Sequence, residues 1–223
     1  MLFNQSDDIT IRYNSALCDS GYIPASTFKI PNSVIALEQG VVKDTSQVFN
    51  WNGRTWPNEA WNRNQTLKSA MKFSCIWVYF EIAEKIGIEK YYDYVKSFDY
   101  GNKNLVGPPT RFWLAGEFRI SANQQIEFLK RFYNYQLRVS KRSIDIVKDL
   151  IIIDHTEYYT LSGKTGGGMI NDTDYIMWLV GYVEKNNMVY FYAMNFLTEN
   201  YEKLSLARYD ITKSILKELK IIE

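Results

Sequence analysis

The chain has 223 residues, 46% of them hydrophobic and 23% charged, with a formal net charge of +1. That is the composition of a soluble globular protein, and its charge balance gives no footing for nucleic acid or an anionic membrane surface as partner. No apolar run reaches the roughly 18–20 residues of a membrane span, and the two cysteines, Cys18 and Cys75, are too few for a disulfide scaffold and lack zinc-site spacing.

In chain order, Met1–Phe3 and Ile9–Tyr13 flank the polar Asn4–Asp8 and predict a hairpin. Met1–Arg12 also carries Asp7 and Asp8 and has no apolar h-region, so the chain is expected to remain cytoplasmic or to have its export segment elsewhere. Pro24 precedes a helix expected from Ser26 to Gln39, stopped by Gly40. Asn50–Asn64, rich in Trp, Asn, Gly and Pro, reads as loop. Thr66–Ile86 should be a helix, broken or bent near Phe73–Ser74 and ended by Gly87, with a shorter helix over Ile88–Ser97. Tyr100–Pro109 is loop; Ser121 and Gln124 then form a capping-box pattern ahead of Ile126, Phe128, Leu129 and Phe132.

From Tyr158 the period becomes that of strands, at Tyr158–Lys164, Tyr175–Glu184 and Met188–Phe196, the last two joined by a Lys185-Asn186-Asn187 turn. Glu202–Ile221 closes the chain as an amphipathic helix. Strands at both ends with helices between predict one α/β (α+β) domain over 1–223, with an α/β lobe of residues 1–25 and 142–223 and a helical lobe of residues 26–141.

Three strings carry chemistry: Ser26-Thr27-Phe28-Lys29, Ser74-Cys75-Ile76 and Lys164-Thr165-Gly166. Ser26 and Lys29 lie one helical turn apart on one face, with Ser26 near a helix N-terminus that favours a developing oxyanion. A serine hydroxyl needs a base. An ordinary lysine, with pKa near 10.4, is protonated at neutral pH, so Lys29 serves only if burial lowers its pKa or if it is chemically altered. Two serines compete as the second motif. Ser121-Ala122-Asn123 is explained locally by its capping box, whereas Ser74 sits mid-helix, where serine is a poor helix former, and is preferred.

Ser162-Gly163-Lys164-Thr165-Gly166 is not a phosphate loop: Tyr158 stands where that pattern needs glycine, and strand-like sequence follows. Read as the end of an edge strand, it points Lys164 and Thr165 into a cleft to hold a carboxylate, with Gly166 to Gly168 letting a ligand approach the backbone. His155, the single histidine, has no Gly-x-Ser-x-Gly elbow to partner it and reads as a surface or loop residue.

Together these strings, with Ala60-Trp61-Asn62-Arg63, Leu67-Lys68-Ser69-Ala70-Met71, Tyr100-Gly101-Asn102 and Phe112-Trp113-Leu114 in the same order, make the chain resemble a class D β-lactamase over nearly its whole length. The resemblance implies a β-lactamase/transpeptidase-like fold, with an antiparallel sheet flanked by terminal helices and a helical lobe. It implies that Ser26 is the acylated nucleophile and that Lys29, carboxylated by CO2 to N6-carboxylysine, is the general base, with Trp113 supporting the carbamate. Ser74 and Lys164 would relay a proton to the leaving nitrogen. The backbone N–H groups of Ser26 and Gly167 would form the oxyanion hole. Thr165 and Arg208, with Ile76, Lys164 and Gly166, would bind a β-lactam.

It implies no cofactor beyond CO2 or bicarbonate, no metal, a monomer or homodimer, and a periplasmic location. Relatives carry a signal peptide and an N-terminal helix ahead of the point where the likeness begins. Ile76 replaces the usual valine, which would tighten the carbamate pocket or restrict water, and Gly167-Gly168-Met169 stands where many relatives carry a bulkier residue. The alternative activity on the same motifs is a penicillin-binding or sensor domain that is acylated at Ser26 and stalls.

Overall fold

The computed structural model describes residues 1–223. β1 (Leu2–Asn4) and β2 (Ile9–Ile11) pair as the expected hairpin. A short helix not foreseen, α1 (Ser15–Asp19), follows with the Asn14 side chain as its cap. The helix expected from Ser26 begins instead as a 3-10 turn, Ala25–Phe28, and only then becomes α2 (Lys29–Glu38). Pro31 is tolerated there because the first-turn N–H it lacks has no intrahelical partner. Gly40, at φ +67°, stops the helix as expected.

Residues 50–64 are mostly loop, closed by a minimal ladder of β3 (Val48–Phe49) and β4 (Gln65–Thr66). The long helix after it is two, α3 (Leu67–Lys72) and α4 (Ile76–Ile86), broken where the sequence placed the bend. α5 (Ile88–Ser97) has its expected bounds, and a short helix α6 (Phe112–Ala115) follows. In α7 (Ala122–Tyr133) both halves of the Ser121/Gln124 capping box are made. Two further elements were not foreseen, α8 (Lys141–Leu150) and β5 (Ile152–His155).

β6 (Thr160–Met169) runs past the expected end at Lys164 straight through the glycines. β7 (Tyr175–Lys185) and β8 (Met188–Thr198) turn at Asn186-Asn187, with φ of 50° and 63°. Two left-handed residues make the primed turn whose twist matches the strands, and asparagine tolerates that region. The C-terminal helix is interrupted, giving α9 (Tyr201–Leu204) and α10 (Ala207–Glu218).

Because β1 pairs with β8, the chain ends share one antiparallel six-stranded sheet of order β2-β1-β8-β7-β6-β5. Strand side chains alternate between faces. One face, with Leu161, Leu179 and Val183, is covered by α10 through Leu216, Ile221 and Ile222 beyond it. The other packs on α7, so the helix of residues 122–133 lies directly on the sheet, and Phe191, Tyr182 and Trp178 merge with Phe128, Phe132, Val34 and Tyr91 in one core of 45 buried residues. That core ties the sheet to the helical half. Cys18 and Cys75 are both free and buried, and no helix is long and apolar enough to cross a membrane.

Candidate active site

The turn carrying Ser26 is held from three sides. Thr27 N–H and Oγ both bond to Pro24 O, at 3.1 and 2.7 Å, and Gln125 Nε2 on α7 donates to Thr27 Oγ1 at 2.9 Å. Between Ser26 and Lys29 stands Phe28, fully buried, its ring 5.1–5.9 Å from those of Tyr91, Tyr100, Phe112, Trp113 and Phe118. At roughly 0.5–1.5 kcal/mol for each good aromatic pair beyond area burial, this cage fixes the backbone between Ser26 and Lys29. Ala25 is held in the left-handed region, φ 47°, just before the serine. For a residue with a Cβ that costs about 1–2 kcal/mol, a strain the surrounding packing must over-determine.

Lys29 follows on the first turn of α2 and its Nζ donates to Ser26 Oγ at 2.9 Å. It is only 1% exposed. Burial pushes its pKa from 10.5 to about 7, offset in small part by the Cys75 thiol. The same burial pushes Cys75 up to about 11, so it remains a thiol. The ring of Tyr79, on the first turns of α4, lies 4.9 Å from Lys29 Nζ, with its hydroxyl tied to Ser33 Oγ at 2.9 Å. Tyr79 escaped the sequence reading, although it falls three residues after Ile76 and so shares that residue's helical face.

Ser74 reaches the same space through the break between α3 and α4. Ser74 N–H bonds to Met71 O and Cys75 N–H to Ala70 O, the two bonds of a Schellman ending, with Ser74 at the left-handed position, φ 54°. Glycine is the usual occupant there; a serine accepts the strain and gains a hydroxyl aimed between the two halves. Ser121, its competitor, is spent on its own helix end, accepting Gln124 N–H at 3.2 Å. His155 Nδ1 is paired with Thr160 Oγ1 on an exposed strand.

Across the cleft, Lys164 Nζ donates to Ser74 Oγ at 3.0 Å and to Thr165 O and Oγ1 at 3.1 and 3.2 Å. It is 5% exposed, and burial first, then the neighbouring Lys29 and Arg208 charges, hold its pKa well below the lysine range. Arg208 of α10 arrives on the opposite face of β6, donating Nη1–H to Gly166 O at 2.7 Å and leaving Nε buried without a partner. Ile76 opens α4, half-buried. Trp113 is wholly buried against Phe28, and its indole N–H has no acceptor.

β5 pairs with β6 only from Thr160 to Ser162, and the last outward bond is Gly163 N–H to Ile151 O at 2.7 Å. With period two, the N–H groups of Thr165 and Gly167 point the same way, to an edge that β5 no longer covers. Lys164–Thr165–Gly166 is thus an edge locally, although β5 is the sheet's last strand.

The glycines have a reason other than the one expected. A Cβ on Gly166 would come within 2.9 Å of Pro24 O and of the Thr27 methyl, and one on Gly168 within 2.8 Å of Ile23. They let the strand lie flush against the Ser26 turn, so the room their missing side chains leave is filled by the protein itself. A cavity of about 500 Å³ opens beside Lys164 and Thr165, bounded by Lys68 and Lys72 of α3 and by Tyr209. The larger cavity, about 580 Å³ around Tyr133, Lys148 and Glu184, holds none of the residues that pair here.

A penicillin binding protein transpeptidase domain model matches residues 2–219. Beta-lactamase OXA-48 of Klebsiella pneumoniae is 42% identical over 222 residues, spanning 100% of this chain and 83% of that one. The crystal structure of the class D β-lactamase YbXI from Nostoc superposes with a TM-score of 0.95 at 37% identity, covering 98% of this chain and 92% of that. The C-terminal domain of the Bacillus licheniformis BlaR penicillin-receptor follows at 0.94 and 33%, covering 100% and 89%. The Ser26 turn, a buried lysine, a serine at a helix break and a Lys-Thr-Gly strand edge thus stand in one cleft of a fold shared along its full length, and the chain belongs to the class D β-lactamases, hydrolases of the penicillin-binding transpeptidase family.

Proposed function

We propose that the protein opens the amide of penicillin-type β-lactams through an acyl-enzyme on Ser26, with Lys29 as the base. The observation that carries this is the Lys29 amine, buried and 2.9 Å from Ser26 Oγ. With a pKa near 7 it is substantially free base at neutral pH, within hydrogen-bond reach of the proton it must take.

Lys29 accepts the hydroxyl proton as Ser26 Oγ bonds to the lactam carbonyl carbon. The developing oxyanion is met by the N–H groups of Ser26 and Gly167 at the open strand edge. As the carbon–nitrogen bond breaks, the leaving nitrogen takes a proton from Ser74 Oγ, replaced from Lys164 Nζ 3.0 Å away. Thr165 and Arg208 hold the drug's carboxylate. The proton that Lys29 took passes on to Lys164, replacing the one Lys164 gave up and freeing the base. A water then loses its proton to Lys29 and attacks the ester carbon, and Lys29 returns that proton to the departing Ser26 oxygen.

Carboxylation of Lys29 by CO2 would supply an anionic oxygen base in place of the amine. The unpaired indole N–H of Trp113, buried beside Phe28, fits such a group because it is a donor lacking an acceptor.

The likeness to the BlaR receptor domain favours a second reading, in which Ser26 is acylated and not released. Intact-mass spectrometry over time, with ring opening followed optically in excess penicillin and bicarbonate, separates the two. A transient adduct with many rings opened per protein is expected. A lasting one-to-one adduct would establish the receptor-like reading, and no adduct would refute both.

A further inference from the structure

Gly167 lacks a side chain, yet the space above it is occupied. A Cβ there would lie 2.8 Å from Tyr201 Cε2 and 3.2 Å from both the Tyr201 hydroxyl and Arg208 Nη1. The phenol of Tyr201, on the short helix α9, therefore rests on the backbone of β6 at the residue whose N–H faces the open edge. By strand alternation Thr165 shares that face. Tyr201 also packs on Tyr175, at the start of β7, with ring centroids 5.3 Å apart. Backbone, Tyr175 and Arg208 thus seat it firmly, while 37% of the residue remains open to solvent. Arg208 is itself anchored through Nη1 to Gly166 O at 2.7 Å, so ring and guanidinium stand side by side at one end of the cleft.

We infer that Tyr201 is a specificity-determining residue, the aromatic wall against which the carboxylate-bearing ring fused to the lactam packs. This rests on the reading of Thr165 and Arg208 as the carboxylate clamp. Gly167 makes the arrangement possible, because the wall comes from another segment and a side chain on the strand would displace it. A flat apolar face beside the clamp selects for a drug whose second ring is compact and lies against it. The ring does not touch the reacting bonds, so its contribution belongs to binding and leaves chemistry alone.

The test is steady-state hydrolysis of benzylpenicillin by wild type, Tyr201→Ala, Tyr201→Leu and Tyr201→Phe, with Tm for each. Tyr201→Ala should raise KM about two- to tenfold, the range of a single aromatic contact, and change kcat by less than twofold. Tyr201→Phe should recover most of the loss and Tyr201→Leu little of it. Should alanine lower Tm by several degrees, the Phe-against-Leu comparison still decides. An unchanged KM in Tyr201→Ala overturns the inference, as does a Phe variant no better than alanine. If wild type is acylated without turnover, the drug concentration giving half-maximal acylation rate replaces KM with the same expected ratios. A wild type that neither opens penicillin nor forms an adduct removes the proposed function and this inference together, whereas an active wild type with an indifferent alanine variant removes this inference alone.

Discussion

Lys29→Met should make the protein more stable and inactive. The lysine is 1% exposed, and its pKa falls from 10.5 to about 7 because burial disfavours the ammonium. At 1.36 kcal/mol per pH unit, that fall corresponds to about 5 kcal/mol of penalty on the charged form. Part is recovered through Ser26 Oγ and the Tyr79 ring, and methionine fills a similar volume with no charge. Replacing buried charge by a well-packed apolar group typically stabilises by about 1–4 kcal/mol; taking about 1–3 here, and about 2–4 °C per kcal/mol for a chain of this size, Tm should rise by about 2–12 °C.

Ring opening should fall by about 10²–10⁴-fold or more, the usual worth of a general base. The assays are calorimetry in degassed buffer, which keeps CO2 from the lysine, and optical turnover with bicarbonate present. A Tm at or below that of wild type, or turnover within tenfold of it, would show that Lys29 is not a desolvated base.

The stability gap between Lys29→Met and wild type should also depend on pH. The folded-state value is depressed below the unfolded one, so the penalty is complete below about pH 7 and fades as pH rises toward 10.5; a gap that widens upward would contradict this. In degassed buffer, acylation of wild type should climb through about pH 7 and level off, read from adduct formation, and a flat profile would argue against the amine as base. Trp113→Phe keeps the ring against Phe28 but removes the unpaired N–H; its deacylation should need added bicarbonate, and wild-type rates without it would dismiss the indole as carbamate support. Gly181→Ala drives a Cβ into Ser162 O across the strand pair, so it should cost about 3 kcal/mol or more, seen as a Tm loss of roughly 6–12 °C; a loss below about 2 °C would mean the strands part easily.

Much of the site was legible because its demands on the backbone are local. Serine is a poor helix former, which flagged the break at Ser74, and glycine at positions 40 and 87 marked true helix ends. The spacing of Ser26 and Lys29 put amine and hydroxyl together, although a 3-10 turn and not an α-helix does it. What escaped depends on partners distant in the chain. β6 continues through three consecutive glycines against their weak strand preference, because the Ser26 turn presses on one side and Tyr201 with Arg208 on the other.

β5 is a short stretch whose pairing with β6 no local pattern announces. α8 was missed with less excuse, since Ser140 caps it and Ile144 and Val147 recur at helical spacing. The roles of Tyr79 and Gln125 arise from contacts 46 and 98 residues away in sequence, with Ser33 and Thr27 respectively.

The uncovered stretch of β6 beyond Gly163 has one more consequence. An open strand edge invites any extended chain to pair with it, and proteins generally blunt such edges against aggregation. Here the one charged residue of the stretch, Lys164, is buried, and the stretch pairs with β7 without a bulge. It lies at the floor of a cleft, with the Ser26 turn alongside and helix α3 opposite. A molecule about as thin as a single strand can reach its amides, but a strand still attached to its own sheet cannot. The gap that admits an antibiotic is thus also what keeps neighbouring protein molecules from zipping onto the sheet, and widening it to accept bulkier drugs should be paid for in solubility.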